Sequence, residues 1–163
     1  MSYLAIGAVT KALTELLSRK LNRPPLMGTT TFRVTALPPD DDRIADDAGI
    51  NLFLYKVAES PTAKNMDWRA HGAAPFGNGK PPLMLTLNYM MTAYAKKTGG
   101  TAQDDIATQQ LLGNAMAILH EFAVLNDVHD GDFDANVDML FAPELRDALD
   151  KIKVTLLPIS MEE

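Results

Sequence analysis

Apolar residues recur near the start of the chain at Ile6, Val9, Leu13, Leu16 and Leu17, the spacing of a helix with one buried stripe. This predicts a helix from Tyr3 to about Leu21, ended by Pro24-Pro25, with Arg19, Lys20 and Arg23 at the end where the helix dipole favours cations. The period then shortens to two. In TTTFRVTAL (29–37), Phe32, Val34 and Ala36 alternate with Thr31, Arg33, Thr35 and Leu37, as in a strand covered on one side. INLFLYKV (50–57) is apolar on both sides, the pattern of a central strand.

The segment KPPLMLTLNYMMTAYAK (80–96) is nearly free of charge between its lysine ends. Period two puts Leu83, Leu85, Leu87, Tyr89, Met91 and Ala93 on one side and Met84, Thr86, Asn88, Met90, Thr92 and Tyr94 on the other. One face is wholly apolar, and the second is mixed and uncharged, which suits a surface half covered by a helix or another subunit. A spanning helix needs about 20 apolar residues, so this run is too short and too polar to cross a bilayer.

Between the second and third strands, residues 58–80 form a loop rich in Pro, Gly and small residues, longer than a hairpin connection, with Trp68 inside it. DDIATQQLLGNAMAILHEFAVL (104–125) predicts a long helix with Leu112, Ala115, Met116, Leu119 and Phe122 in its stripe. A short helix over 143–150 begins at Pro143-Glu144, and IKVTLLPIS closes the chain as a last strand. The order α, β, β, β, α, α, β is too unevenly interleaved for repeated βαβ units. It predicts an α+β fold, one domain over 1–163, with a single mainly antiparallel sheet flanked by helices.

Composition narrows the function. The 163 residues carry a net charge of -6 and no cysteine, which fits one ordinary globular domain made in a reducing compartment without disulfides or thiolate metal sites. The acidic balance and the lack of a basic patch argue against nucleic acid as a partner. The first residues lack the basic start and cleavage site of a secretory signal, so cytoplasmic assembly is expected, with no membrane partner.

The motifs that suggest chemistry fail when counted. DVHDGDFDANVD (127–138), read as a calcium loop from Asp130, has Ala135 where glycine is required and Phe141 where a bidentate glutamate is required. His120-Glu121 lacks its zinc partner because residue 124 is valine. FGNGKPP has Ala74 and Pro81 where a phosphate loop needs glycine and Ser or Thr. No serine sits in a nucleophile elbow. No enzyme activity, cofactor or metal is therefore expected, with a small hydrolase or metal-binding domain as the remaining chemical reading.

GINLFLYKV, PPLMLTLNYMMTAYA, QQLLGNAMAILHE and IKVTLLPIS follow one another in an order that resembles the cap, or tail-terminator, family of extracellular contractile injection systems of the antifeeding-prophage and virulence-cassette type. Thr86 and Asn88 depart from that pattern, standing where an acidic residue or histidine is frequent. The resemblance implies a tail-terminator-like fold and a structural cap. Its subunits would form a homohexameric ring that ends the inner tube and sheath of a phage tail-like particle and stops their polymerisation. The implied partners are the tube protein, the sheath protein and other copies of the chain; a phage-like tail-completion or head-to-tail joining protein is the alternative. Interface candidates are Asn65, Trp68 and Arg69 in the long loop, Arg33 in the first strand, and Met84, Met90 and Tyr94 on the uncharged face of the third. A sheath subunit that docks by strand addition needs an open sheet edge, for which TTTFRVTAL and IKVTLLPIS are the expected donors and INLFLYKV, as a central strand, is not.

Overall fold

The computed structural model describes residues 5–22, 31–41, 48–60, 83–95, 102–125 and 152–157. Its first helix, α1 (Ala5–Leu21), buries Ala8, Ala12, Leu13, Leu16, Leu17 and Leu21, the stripe that the spacing predicts, with Arg19 and Lys20 in the last turn. Three strands follow, β1 (Arg33–Thr35), β2 (Gly49–Glu59) and β3 (Leu85–Tyr94), and then α2 (Ala102–Glu121) and a small ribbon of β4 (Val124–Leu125) with β5 (Ile152–Lys153). The architecture is α+β, with a mainly antiparallel sheet flanked by helices.

The main sheet has the order β1-β2-β3, which puts β2 in the centre as its two-sided apolar pattern requires. β2 and β3 are antiparallel, whereas β1 runs parallel to β2. Opposed residues share a face, so the register Val34↔Ile50↔Ala93, with Leu52↔Met91 and Leu54↔Tyr89, defines the covered side. There Ile50 and Leu52 pack with Leu13, Leu16 and Leu17 of α1 and Leu111, Ala115, Ile118 and Leu119 of α2. Both helices therefore lie on one face of the sheet. Phe122, Leu125, Ile152 and Val154 carry the same core across to the β4–β5 ribbon.

Three local expectations change. The stripe of α2 is turned: Leu111 and Ile118 are buried with Ala115, Leu119 and Phe122, while Met116 is 42% exposed. Residues 106–119 contain no charge, so apolar spacing alone does not pick the inward face. The helix also stops at Glu121, and Val124-Leu125 is a strand held by Ile152-Lys153 and by the Val154 N–H to Ala123 C=O bond of 2.8 Å. β1 is shorter than 29–37, because the residues on either side of it bond to asparagine side chains instead of to a strand.

Those two asparagines hold β1 in place. Asn22, just past α1, accepts from the Phe32 N–H at 2.7 Å and donates to the Phe32 C=O at 3.0 Å and the Ser18 C=O at 2.8 Å. Asn51 on β2 treats Leu37 the same way, accepting from its N–H at 2.9 Å and donating to its C=O at 2.8 Å. Each side-chain amide imitates a neighbouring strand's backbone. Gly49 completes the arrangement, since a Cβ there would lie 1.9 Å from the Arg33 carbonyl oxygen.

Candidate assembly surface

β3 displays two different surfaces. On the helix-facing side, Tyr89, Met91 and Ala93 join the core, and the Tyr89 hydroxyl lies 2.7 Å from the Thr10 hydroxyl of α1. Burial raises the Tyr89 pKa above its usual value, the Thr10 hydrogen bond opposing this in part. Packing on the helices ends at Tyr89. Beyond it the β2–β3 ribbon continues through Val57↔Leu87 and Glu59↔Leu85, and there Tyr55, Val57 and Leu83 are 53%, 46% and 47% exposed. The register shifts between Leu54 and Lys56, leaving Tyr55 as an extra residue on β2. Such a bulge bends and twists a ribbon locally, and here it separates the part held on the helices from the part that stands clear of them.

The opposite face is built by Arg33↔Gly49↔Tyr94, Thr35↔Asn51↔Thr92 and Phe53↔Met90. Arg33, Met90 and Tyr94 thus share one side of the sheet, and Met84, two residues before Thr86 of β3, falls on the same side by strand alternation. Arg33 is exposed; Met84, Met90 and Tyr94 are half-buried. The Tyr94 hydroxyl is 2.8 Å from the Thr92 hydroxyl, which fixes the ring along the strand. Asn51 is fully buried on this face because the chain leaving β1 bonds to it, and Thr35 adds a hydroxyl donor at 2.8 Å. Arg33 and the exposed Lys56 are the charges that the sheet places here, and no described strand residue on this side is acidic. Asn65, Trp68 and Arg69 lie outside the described residues, as do the acidic stretch 127–138 and the short helix 143–150.

Asn51 and Asn22 are absent from the sequence-derived candidates. A lone asparagine within an apolar central strand is the signal that marks Asn51. Among the described residues no group of three or more His, Asp or Glu side chains is placed to hold a metal ion, and no helix is long and apolar enough to cross a membrane.

No curated protein and no solved structure matches the chain. A family model described as the Pvc16 N-terminal domain matches residues 8–163, from within α1 through every later element above. Its family belongs to phage tail-like contractile injection systems. The chain is therefore a member of the Pvc16 N-terminal-domain family and a contractile injection system component.

Proposed function

We propose that the chain is a structural cap, a non-enzymatic terminator whose subunits close into a homohexameric ring and end the inner tube and sheath. The observation that carries this reading is the half-buried cluster of Met84, Met90 and Tyr94 on or just before the uncharged strand β3, on a face whose strand charges are the exposed cations Arg33 and Lys56 of β1 and β2. Tyr, Met and Arg are enriched where proteins meet, and charged residues are depleted at the centre of such contacts. Membership in the Pvc16 family supports an assembly role over a catalytic one. In a ring, each subunit offers two different complementary patches, so a face unlike the helical side of the molecule suits a heterologous contact. Assembly in the cytoplasm as part of a phage tail-like particle belongs to the same proposal.

Light scattering of the purified chain, alone and with tube and sheath subunits, tests it. The expected result is a hexamer, or a hexamer once tube is present, and co-sedimentation with both partners. A monomer at high concentration that neither tube nor sheath recruits contradicts the reading.

A further inference from the structure

The strand order leaves both outer strands with one described neighbour each, but the two edges are unequal. On β1, the Arg33 N–H is turned inward, bonding the Ala48 C=O at 3.1 Å. Strand alternation then points the amide and carbonyl of Val34 away from β2, while Phe32 and Leu37 on either side are occupied by Asn22 and Asn51. This edge is three residues long and closed at both ends.

β3 is ten residues long. The Ser60 N–H bonds the Met84 C=O at 2.9 Å, so the backbone groups of Met84 face β2. In an antiparallel ladder that facing alternates, and the extra residue at Tyr55 lies on β2, so the alternation along β3 continues. Thr86, Asn88, Met90, Thr92 and Tyr94 therefore direct N–H and C=O toward β2, and Leu85, Leu87, Tyr89, Met91 and Ala93 direct theirs outward. No described strand receives them. Proteins usually blunt such an edge with Lys, Pro, an inward charge or a bulge. Leu85–Tyr94 contains neither charge nor proline, and the bulge is on its neighbour.

We propose that the outward edge of β3 is a strand-addition site, occupied in the assembled particle by an extended, uncharged segment of a partner polypeptide. The row of backbone groups specifies an extended chain, because only a strand matches its spacing. β3 carries no ionised side chain on either face, so an ionised group of the occupant beside Met90 or Leu87 would lose water and find no counter-ion on β3; the cation Lys56 stands on β2, with β3 between it and the occupant. Leu87, with Val57 and Leu83 exposed beyond the helices, offers apolar contact to the occupant's side chains on that side. The inference rests on the chain working inside an assembly; it does not depend on the number of copies in a ring.

Site-resolved hydrogen exchange on the isolated chain and on the chain within the assembled particle tests the site. In the isolated protein the Thr86, Asn88 and Met90 amides should exchange slowly and those of Leu87, Tyr89 and Met91 fast. In the particle the second set should slow roughly tenfold or more. Leu87→Pro removes an outward N–H and leaves the β2 ladder intact, so this variant should keep the isolated fold by circular dichroism and lose incorporation. Leu87→Lys keeps the N–H and should also lose incorporation; it decides the matter if the proline variant does not fold. Outward amides that are already slow in the dilute isolated protein, or still fast in the particle, overturn the proposal, as does normal incorporation of a folded Leu87 variant. Slowing that appears in the isolated protein as its concentration rises assigns the edge to a second copy and also overturns it. A wild-type chain missing from the particle overturns both this and the cap reading, whereas a chain that is present with fast outward amides overturns only strand addition.

Discussion

The side-chain amide of Asn51 bonds both backbone groups of Leu37, the N–H at 2.9 Å and the C=O at 2.8 Å, from a position with no solvent exposure. One side chain thus serves as the local strand partner for the chain leaving β1. Its removal exposes the asymmetry of hydrogen-bond energetics: the bonds add little net stability, but buried groups left without partners cost their full desolvation.

Asn51→Leu keeps the number of side-chain heavy atoms and the branched shape, is bulkier by its methyl groups, and strands the Leu37 N–H and C=O. We expect a loss of about 2–3 kcal/mol, seen as a lower urea midpoint at unchanged slope. A loss below about 0.5 kcal/mol would show that water replaces the amide there.

The glycines give a paired test. A Cβ at Gly49 meets the Arg33 carbonyl at 1.9 Å, backbone that yields only if β1 separates from β2, whereas a Cβ at Gly113 in α2 has nothing within 4 Å. Gly49→Ala should destabilise by about 2 kcal/mol or more. Gly113→Ala should stabilise by about 0.5–1 kcal/mol, since an interior helical glycine costs that much relative to alanine. Thermal midpoints of the two variants should move in opposite directions.

Tyr89 provides the pH test. Its pKa is raised from the usual 10.0 chiefly by burial, so the fold favours the protonated phenol. The sign follows: the contribution is fully present below the unfolded-state value and is lost as pH rises through the folded-state one. The stability difference between wild type and Tyr89→Phe should therefore be constant at neutral pH and shrink or reverse above about pH 10. At neutral pH the phenylalanine variant should lose about 1 kcal/mol with the Thr10 hydrogen bond. A difference that does not change with alkaline pH would contradict the burial of this hydroxyl.

On the face away from the helices, Met90→Lys should separate assembly from folding. Met90 is half-buried beside Phe53, so its flexible replacement can carry the ammonium to solvent in the isolated chain. The thermal midpoint should fall by only a few degrees, while ring formation or tube binding is lost. A variant that assembles normally removes this face from the interface.

Among the described elements, α1 and β3 are legible in the sequence because each carries its own period over many residues, β2 because a short run apolar on both sides reads as a central strand, and α2 as a long helix whose inward face the spacing does not fix. Their faces are legible too where polarity contrasts, as with Leu13, Leu16 and Leu17 on α1. What escapes local pattern is pairing at a distance. Nothing in RVT says that it will run parallel to β2, because that depends on Gly49 allowing close approach and on two asparagines from other elements. TTTFRVTAL does become an edge strand, but a short and closed one, and IKVTLLPIS pairs in a separate ribbon instead of the main sheet. Among the described strands the long edge without a neighbour falls to β3, whose side-chain pattern describes its faces and carries no information about its neighbours. For the surface candidates, alternation alone separates Met84, Met90 and Tyr94 from the core side; that Arg33 joins their face follows only from the register with Gly49.

If the chain is the cap we propose, its position at the end of the particle can be seen directly. Electron microscopy of assembled particles that carry a gold-labelled copy of the chain should show label at one end only, at the terminus of both tube and sheath. Label distributed along the shaft, or particles of normal defined length that lack the chain altogether, would contradict it.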